Sequence, residues 1–282
     1  MRIRSYLYAP GNRPELMAKA ARSGAHAVIL DLEDAVPAAE KAGACLTVRA
    51  FLEAEPAIPA FVRLNSGGAA LQDLARIGVR GLAGVLVPKA EDPALIGEID
   101  RALSESEARD GLDGGGAIIQ PLIESAAGLY GLDALAQASP RIRRVAFGAG
   151  DYVRDIRAQA TETRTETLYA RMHLVARSRF LQLEAPVAHV FSRVRDLEGL
   201  RRACAEDRAL GFQARSCIHP TQVAVINAAF APTQDELAQA RWVLAAYSEA
   251  TAAGRGSLLL EDGTFIDEAV ALRAQDVVSS AP

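Results

Sequence analysis

Glu124 and Asp151 form the pair of side chains in this sequence with the plainest chemical use. Each follows a short apolar run, and the two are separated by about one strand-and-helix unit. In a parallel arrangement they therefore emerge side by side at one rim. Two carboxylates at close range repel unless a proton or a cation sits between them. A hard divalent ion such as Mg²⁺ takes one or two carboxylates and leaves its other positions to water and substrate. Both residues also have a local reading. Glu124-Ser125 precedes Ala126-Ala127-Gly128 as a helix-capping sequence would, and Asp151 suits a loop or a cap. Spacing alone leaves the two readings open.

Arg63 is an unusual charge inside the apolar run Phe61-Val62-Arg63-Leu64. Pointing into a core, it needs an anionic partner, because a buried unpaired guanidinium is very costly. The alternative is an outward side chain that snorkels between helices. Asn65 falls on the same face by the two-residue period of a strand, which favours the inward reading. Asp31, Glu33 and Asp34 place three acids within four residues. They could orient metal-bound waters from behind, or form a solvated loop with a helix cap. Lys89, in Pro88-Lys89-Ala90, reads as a loop cation. His219 reads as a structural loop histidine or a base, and His26, His173 and His189 have no partner spacing and read as packed or surface residues. No nucleophile elbow is present, and no lysine sits alone in a strand as a Schiff-base residue would.

The elements that must position these groups recur regularly. Short apolar runs at residues 5–8, 27–32, 61–64, 84–88, 117–123, 145–148, 186–190 and 216–219 read as eight strands. Helical spacing appears between them, for example over 13–23, 69–77, 93–103 and 165–181. The alternation predicts a parallel sheet with right-handed crossovers, and eight units predict closure into a (β/α)8 barrel of the TIM type. An open doubly wound sheet is the alternative, but no GxGxxG follows the first strand. Residues 104–116 (SESEARDGLDGGG) are polar and glycine-rich and read as a surface loop. Past the eighth strand, Thr233 to Glu236 is a capping box that opens a helix through about Ala252. An Asp262-Gly263 turn within 257–266 signals a hairpin, and a short helix follows from about Asp267. The division expected is a catalytic barrel over 1–232 and an extension over 233–282.

Composition sets the outer bounds. The chain has 282 residues, half of them hydrophobic and 23% charged, with a formal charge of −4. That charge gives no basic field for nucleic acid, so none is expected as a partner. No apolar run is long enough for a membrane helix, and the first apolar stretch is too short for the centre of a signal peptide. Three widely spaced cysteines, with no CxxC, argue for a reducing compartment and against a zinc or disulfide framework. A cytoplasmic enzyme is the expectation.

Several segments, in order, resemble the citrate lyase β-subunit-like family of aldolases and lyases. They are residues 4–11 (RSYLYAPG), 27–36 (AVILDLEDAV), 62–65 (VRLN), 87–89 (VPK), 123–128 (IESAAG), 148–152 (GAGDY) and 217–220 (CIHP). Each motif is weak by itself; together, from residue 4 to 220, they cover most of the chain. The resemblance implies a barrel, often trimeric or hexameric, that acts on a small carboxylate or acyl-CoA thioester. It implies Mg²⁺, with Mn²⁺ as a substitute, on Glu124 and Asp151, with Arg63 stabilising a thioester enolate. Residues 263–267 (GTFID) look like a segment that such lyases supply across a subunit boundary. That makes Asp267 the acid/base candidate, although it also suits a helix N-cap. Arg4, Lys19 and Lys89 become candidate contacts to the phosphates or pantetheine. Three activities follow as expectations: lysis of malyl- or citramalyl-CoA, a β-type subunit acting on a carrier-bound citryl thioester, and hydrolysis of malyl-CoA. A noncatalytic binding protein on the same barrel is a fourth reading. Against the family pattern, His26 and Gly150 stand where acids are usual, and Gln213-Ala214-Arg215 replaces Gly-Lys. These departures point to altered charge behind the metal and altered thioester recognition.

Overall fold

A computed structural model describes residues 2–260 and 263–281. The elements run β1 (Ser5–Pro10), α1 (Pro14–Ala21), β2 (Ala27–Asp31), α2 (Lys41–Glu53), β3 (Ala60–Arg63), α3 (Ala69–Ile77), β4 (Leu82–Val87) and α4 (Pro93–Arg109). There follow β5 (Ile118–Ile123), α5 (Ala126–Tyr130), α6 (Leu132–Gln137), β6 (Ala146–Phe147), α7 (Ala149–Asp155), α8 (Leu168–Phe180), β7 (Val187–Ala188), α9 (Leu197–Leu210), β8 (Ala214–Cys217) and α10 (Pro220–Phe230). The chain ends with α11 (Gln234–Ala252), β9 (Leu258–Leu259), β10 (Phe265–Ile266) and α12 (Glu268–Ser279). Strands β1 to β8 pair in sequence order, all parallel, and β8 returns to β1 to close the barrel. This is the (β/α)8 architecture that the alternation predicts.

The strands alternate faces, and the inner face carries the packing. Tyr6, Ala27, Ile29, Phe61, Leu86, Leu122, Ala146, Val187 and Ala214 come from all eight strands and form one buried cluster. Two residues further along their strands, on the same face, stand Tyr8, Asp31, Arg63, Glu124, Gly148, His189 and Ser216. The barrel interior is therefore apolar in its middle and polar at its C-terminal rim.

One expectation is corrected. Residues 104–109 are helix rather than loop, because α4 runs on to Arg109. The face formed by Ile96, Ile99 and Leu103 continues through Ser106 and Glu107, all buried. Glu107 is tolerated there because Arg141 bonds it at 2.6 Å and the Gly115 and Ala117 N–H groups donate to it. Those contacts hold the Glu107 carboxyl down at about 2, the Arg141 bond above all. A polar-looking stretch was thus a buried, satisfied charge and the helix that carries it.

By its internal contacts the chain separates into two compact units, residues 3–227 and residues 228–282 together with 1–2. In the second, Thr233 caps α11 through the reciprocal bonds of a capping box, Glu236 N–H to Thr233 Oγ1 at 3.1 Å and Thr233 N–H to Glu236 Oε2 at 2.7 Å. Strands β9 and β10 form an antiparallel hairpin. Gly263 in its turn has φ of 84°, whereas Asp262 lies outside the described residues. Among the described residues no helix is long and apolar enough to cross a membrane.

Candidate active site

A cleft of about 1270 Å³ opens at the C-terminal rim of the barrel. Glu124, Asp151, Arg63, Asp31 and Asp34 all line it, so one site unites five residues singled out by their spacing.

Glu124 follows β5 directly and is buried. The Lys89 N–H donates to its Oε2 at 2.9 Å. Lys89 itself adopts a left-handed backbone, with φ of 48°, which turns that N–H toward the carboxylate. Gly148, at the end of β6, leaves room for the other oxygen: a Cβ built there would lie 2.5 Å from Glu124 Oε1. Burial pushes the Glu124 carboxyl up to about 7, opposed by the Lys89 N–H and helped by the charges of Glu33 and Asp151. Asp151 stands in the first turn of α7, half-buried, with Arg154 at 3.0 Å.

Arg63 points inward and is held by acids on three sides. Its Nε donates to Asp31 Oδ1 at 2.7 Å and its Nη2 to Asp31 Oδ2 at 2.6 Å, a bidentate pair. Its Nη1 meets Glu33 Oε2 at 3.0 Å and Asp34 Oδ2 at 3.2 Å. Its guanidinium also lies over the Tyr8 ring, 5.2 Å from the centroid. Glu33 Oε1 further accepts from Ser66 at 2.6 Å and from Lys89 Nζ at 2.5 Å. The three acids after β2 are therefore bound chiefly to Arg63 and Lys89.

The donor set fits a hard divalent cation. Two carboxylates from neighbouring units face one cleft, and the cradle over Gly148 has room for nothing but Glu124. The raised Glu124 carboxyl lacks a counter-charge that such a cation supplies. Among the described residues no cluster of three or more His, Cys, Asp or Glu side chains is built for a metal. The arrangement suits an ion that keeps positions for water and substrate.

Other expected contacts separate from the cleft. Arg4 precedes β1, so it stands at the opposite end of the barrel, where its N–H bonds His26 Nδ1 at 3.0 Å. Lys19 is in the last turn of α1, which runs antiparallel to the strands and ends at that same far end. Neither lines the cleft. His26 is likewise at the far end, so it has no bearing on charge near the rim. Ala214 packs in the barrel core. Arg215 faces outward, fully buried, bonded to Asp207 of α9 and to the His189 carbonyl at 2.8 Å. It braces β7, β8 and α9 and does not reach a thioester in the cleft. His219 is exposed and bonds Thr221 Oγ1 at 2.8 Å, a loop role. Asp267 caps α12, accepting the Val270 N–H at 3.0 Å.

The structure also adds residues. His189 and Ser216 line the cleft, as does the segment from Ala160 to Arg164. For His189 a signal was present: in the strand read over 186–190, the inward face that holds Val187 also holds residue 189. Gly148 had no signal, because its contribution is the absence of a side chain.

Residues 4–220 match the family described as HpcH/HpaI aldolase/citrate lyase. A citrate lyase subunit beta-like protein of Deinococcus radiodurans is 33% identical, with 98% of this chain and 96% of that protein covered. An L-malyl-CoA/beta-methylmalyl-CoA lyase of Cereibacter sphaeroides is 29% identical, covering 99% of this chain and 94% of the other. Among solved structures, the protein CitE of Mycobacterium tuberculosis, in complex with magnesium, acetoacetate and coenzyme A, superposes with a TM-score of 0.79 at 29% identity. That match covers 99% of this chain and 97% of the other.

Proposed function

The chain belongs to the HpcH/HpaI aldolase/citrate lyase family, and from that premise we propose a Mg²⁺-dependent carbon–carbon lyase. Its substrate in this reading is a 3-hydroxyacyl-CoA such as malyl-CoA or citramalyl-CoA, cleaved to or formed from acetyl-CoA and a 2-oxo acid. The observation that carries the reading is the convergence of Glu124, Asp151 and Arg63 on one cleft.

Glu124 and Asp151 would hold Mg²⁺, or Mn²⁺ in its place, and the ion would supply a Lewis acid at the oxygen of the oxo-acid portion. Cleavage also needs a base for the hydroxyl proton and stabilisation of the enolate that the thioester becomes. Arg63 is the group this reading assigns to stabilising that enolate, with its charge shared among Asp31, Glu33 and Asp34. Lys89 orients Glu124 through its backbone N–H and secures Glu33 with its ammonium group. In the cleavage direction an acid must then protonate the enolate carbon. Asp267 is the candidate, and in this chain its carboxylate accepts the Val270 N–H. In this reading residues 1–232 form the catalytic domain, and residues 233–282 of one chain cover the cleft of a neighbour in a homotrimer or hexamer.

A second reading is a β-type subunit that acts only on a citryl thioester of a carrier protein, favoured by the description of the Deinococcus relative. The test is to incubate the purified protein and Mg²⁺ with malyl-, citramalyl- and citryl-CoA and to resolve the products by mass. Acetyl-CoA with a 2-oxo acid supports the lyase. Free hydroxy acid with CoA identifies a thioester hydrolase, and turnover of a carrier-bound thioester alone identifies the subunit. Wild-type rates in Glu124→Ala and Asp151→Ala would refute the metal assignment.

A further inference from the structure

The cleft is asymmetric. From Glu124 and Asp151 it extends over the rim of β7 and β8, where it is lined by Thr161, Arg164, Phe191, Arg193 and Arg202. A substrate whose oxo-acid end sits at the two carboxylates must lay its thioester and long acyl-carrying arm along that extension. His189 stands where the extension begins. It follows β7 directly on the inward face, and the pairing of Ala188 with Arg215 brings it level with Ser216. Gly148, which follows β6, carries no side chain, while Phe147 of β6 lines the cleft beside His189. Arg63, on β3, is on the far side of the barrel mouth, and most of its N–H groups are already bonded to Asp31 and Asp34.

The ring of His189 is fixed by its surroundings. Phe147 meets it edge to face, 6.0 Å between centroids and 85° between planes. Its Nδ1 is buried with no hydrogen-bond partner, so Nε2 is the nitrogen that the cleft can reach. Behind the ring lie Arg215, Arg164 and Arg171, gathered around Asp207. Burial, and then the charge of Arg215, push the imidazole down to about 3. At neutral pH it holds one proton. Nδ1 is the buried nitrogen, and the tautomer that serves the cleft carries the proton on Nε2. A neutral imidazole that donates to a carbonyl oxygen is an established form of electrophilic catalysis.

We propose that His189 is a catalytic residue whose Nε2–H donates a hydrogen bond to the thioester oxygen as it becomes an enolate oxygen. The proposal rests on the lyase reading above. When the carbon–carbon bond breaks, its electron pair moves into the thioester and leaves negative charge on that oxygen. The hydroxyl proton goes to the base, and the second fragment departs as the oxo acid. His189 gives up no proton. It holds one at the atom where charge develops, on the opposite side of the cleft from Arg63.

The test uses the full-length protein with Mg²⁺, with His189→Leu (no donor) and His189→Gln (a neutral N–H donor) as variants. Two readouts are needed besides turnover. Exchange of the acetyl-CoA methyl protons in D₂O, with the oxo acid present, reports enolate formation; calorimetry with the oxo acid alone reports the rest of the site. The leucine variant should lose roughly 10²- to 10³-fold in turnover and exchange. The glutamine variant should recover at least about tenfold of that loss, and oxo-acid binding should stay within about threefold in both, since a lost donor acts on the enolate rather than the ground state. Exchange in the leucine variant as fast as in wild type overturns the proposal. So does equal loss in both variants, or loss of oxo-acid binding in step with turnover, since either marks a packing role. A wild-type protein that turns over none of the three thioesters and exchanges no acetyl-CoA protons overturns the lyase reading together with this one.

Discussion

Gly148→Ala isolates the geometry of the metal site from the stability of the barrel. The backbone at Gly148 has φ −105° and ψ 77°, outside the left-handed region that favours glycine and close to the angles of Arg13 and Asp196, so the effect is chiefly steric. Two backbone bonds pin the position: the Gly148 N–H donates to the Ile123 carbonyl at 2.9 Å, and its own carbonyl accepts from Tyr152 at 3.1 Å. The new methyl group would lie 2.5 Å from Glu124 Oε1, a separation that real Cβ atoms do not show. The carboxylate is the part free to yield, and it must move by about 1 Å to regain contact distance. That displacement breaks its 2.9 Å bond from the Lys89 N–H and takes one of two anionic ligands off station. A shift of this size costs up to about 10²-fold in reactions that depend on position. Mg²⁺ affinity should fall about 10- to 100-fold, which is about 1.4 to 2.7 kcal/mol. Calorimetric titration with Mg²⁺, supported by Mn²⁺ paramagnetic resonance, measures the affinity. Urea unfolding in chelator should show a loss below about 1.5 kcal/mol, the net worth of the bond from Lys89. A variant that binds Mg²⁺ within threefold of wild type would refute the reasoning, because Glu124 would then have no need of the space over Gly148.

Three further outcomes are expected. The Glu124 carboxyl is raised from 4.5 to about 7, so metal-free folded protein holds a proton there that the unfolded chain releases. Stability from this group is therefore complete below pH 4.5 and lost as pH rises through 7, by about 3 kcal/mol. Urea titrations in chelator at pH 5 and pH 8 should show that slope in wild type and not in Glu124→Gln, and Mg²⁺ binding at pH 6 should release close to one proton. Arg63→Ala strips Asp31 and Glu33 of their buried counter-charge and should cost about 3–5 kcal/mol; adding Asp31→Asn should restore part of it, and a purely additive double variant would argue against the pairing. Asp267→Asn keeps a good N-cap and so should unfold within about 0.5 kcal/mol of wild type. As the acid of the reaction it should nevertheless lose about 10²-fold or more in turnover, and mixing it with inactive Arg63→Ala subunits should restore activity if the site is shared between chains. Full activity in Asp267→Asn would leave only the capping role.

Periodicity carried the barrel because each strand is a short run bounded by helical spacing, and the pattern repeats eight times around one closed sheet. It failed at residues 104–109 for a definable reason. The exposed or buried state of Glu107 depends on Arg141, some thirty residues away, and no local pattern announces a distant counter-ion. The same limit applies to Arg215, in a segment where the family resemblance implies altered thioester recognition, and which the fold presents as a buried brace for Asp207. A charge has a direction only once the strand that bears it has a register.

Arg63 shows how far that argument reaches into the candidate site. Its inward direction was legible from alternation with Asn65, and so was its need for an anion. The identity of the anion was not legible there: Asp31, Glu33 and Asp34 read as groups behind a metal or as a solvated loop, and the fold pairs them with Arg63. What the chain alone also left undetermined was how completely the pairing would use the guanidinium. The bidentate grip of Asp31 and the contacts to Glu33 and Asp34 leave Arg63 little capacity to bond a substrate oxygen directly. Its worth to the reaction is then limited to the charge that its carboxylate partners leave uncompensated. A directional donor must come from elsewhere on the rim. His189 meets that need, since it is neutral and faces the cleft from the side along which the thioester must lie. The placement of Glu124, Asp151 and Arg63 at one rim follows from strand spacing, whereas the proposed donor follows only from knowing which histidine the barrel turns inward and which arginines it packs nearby.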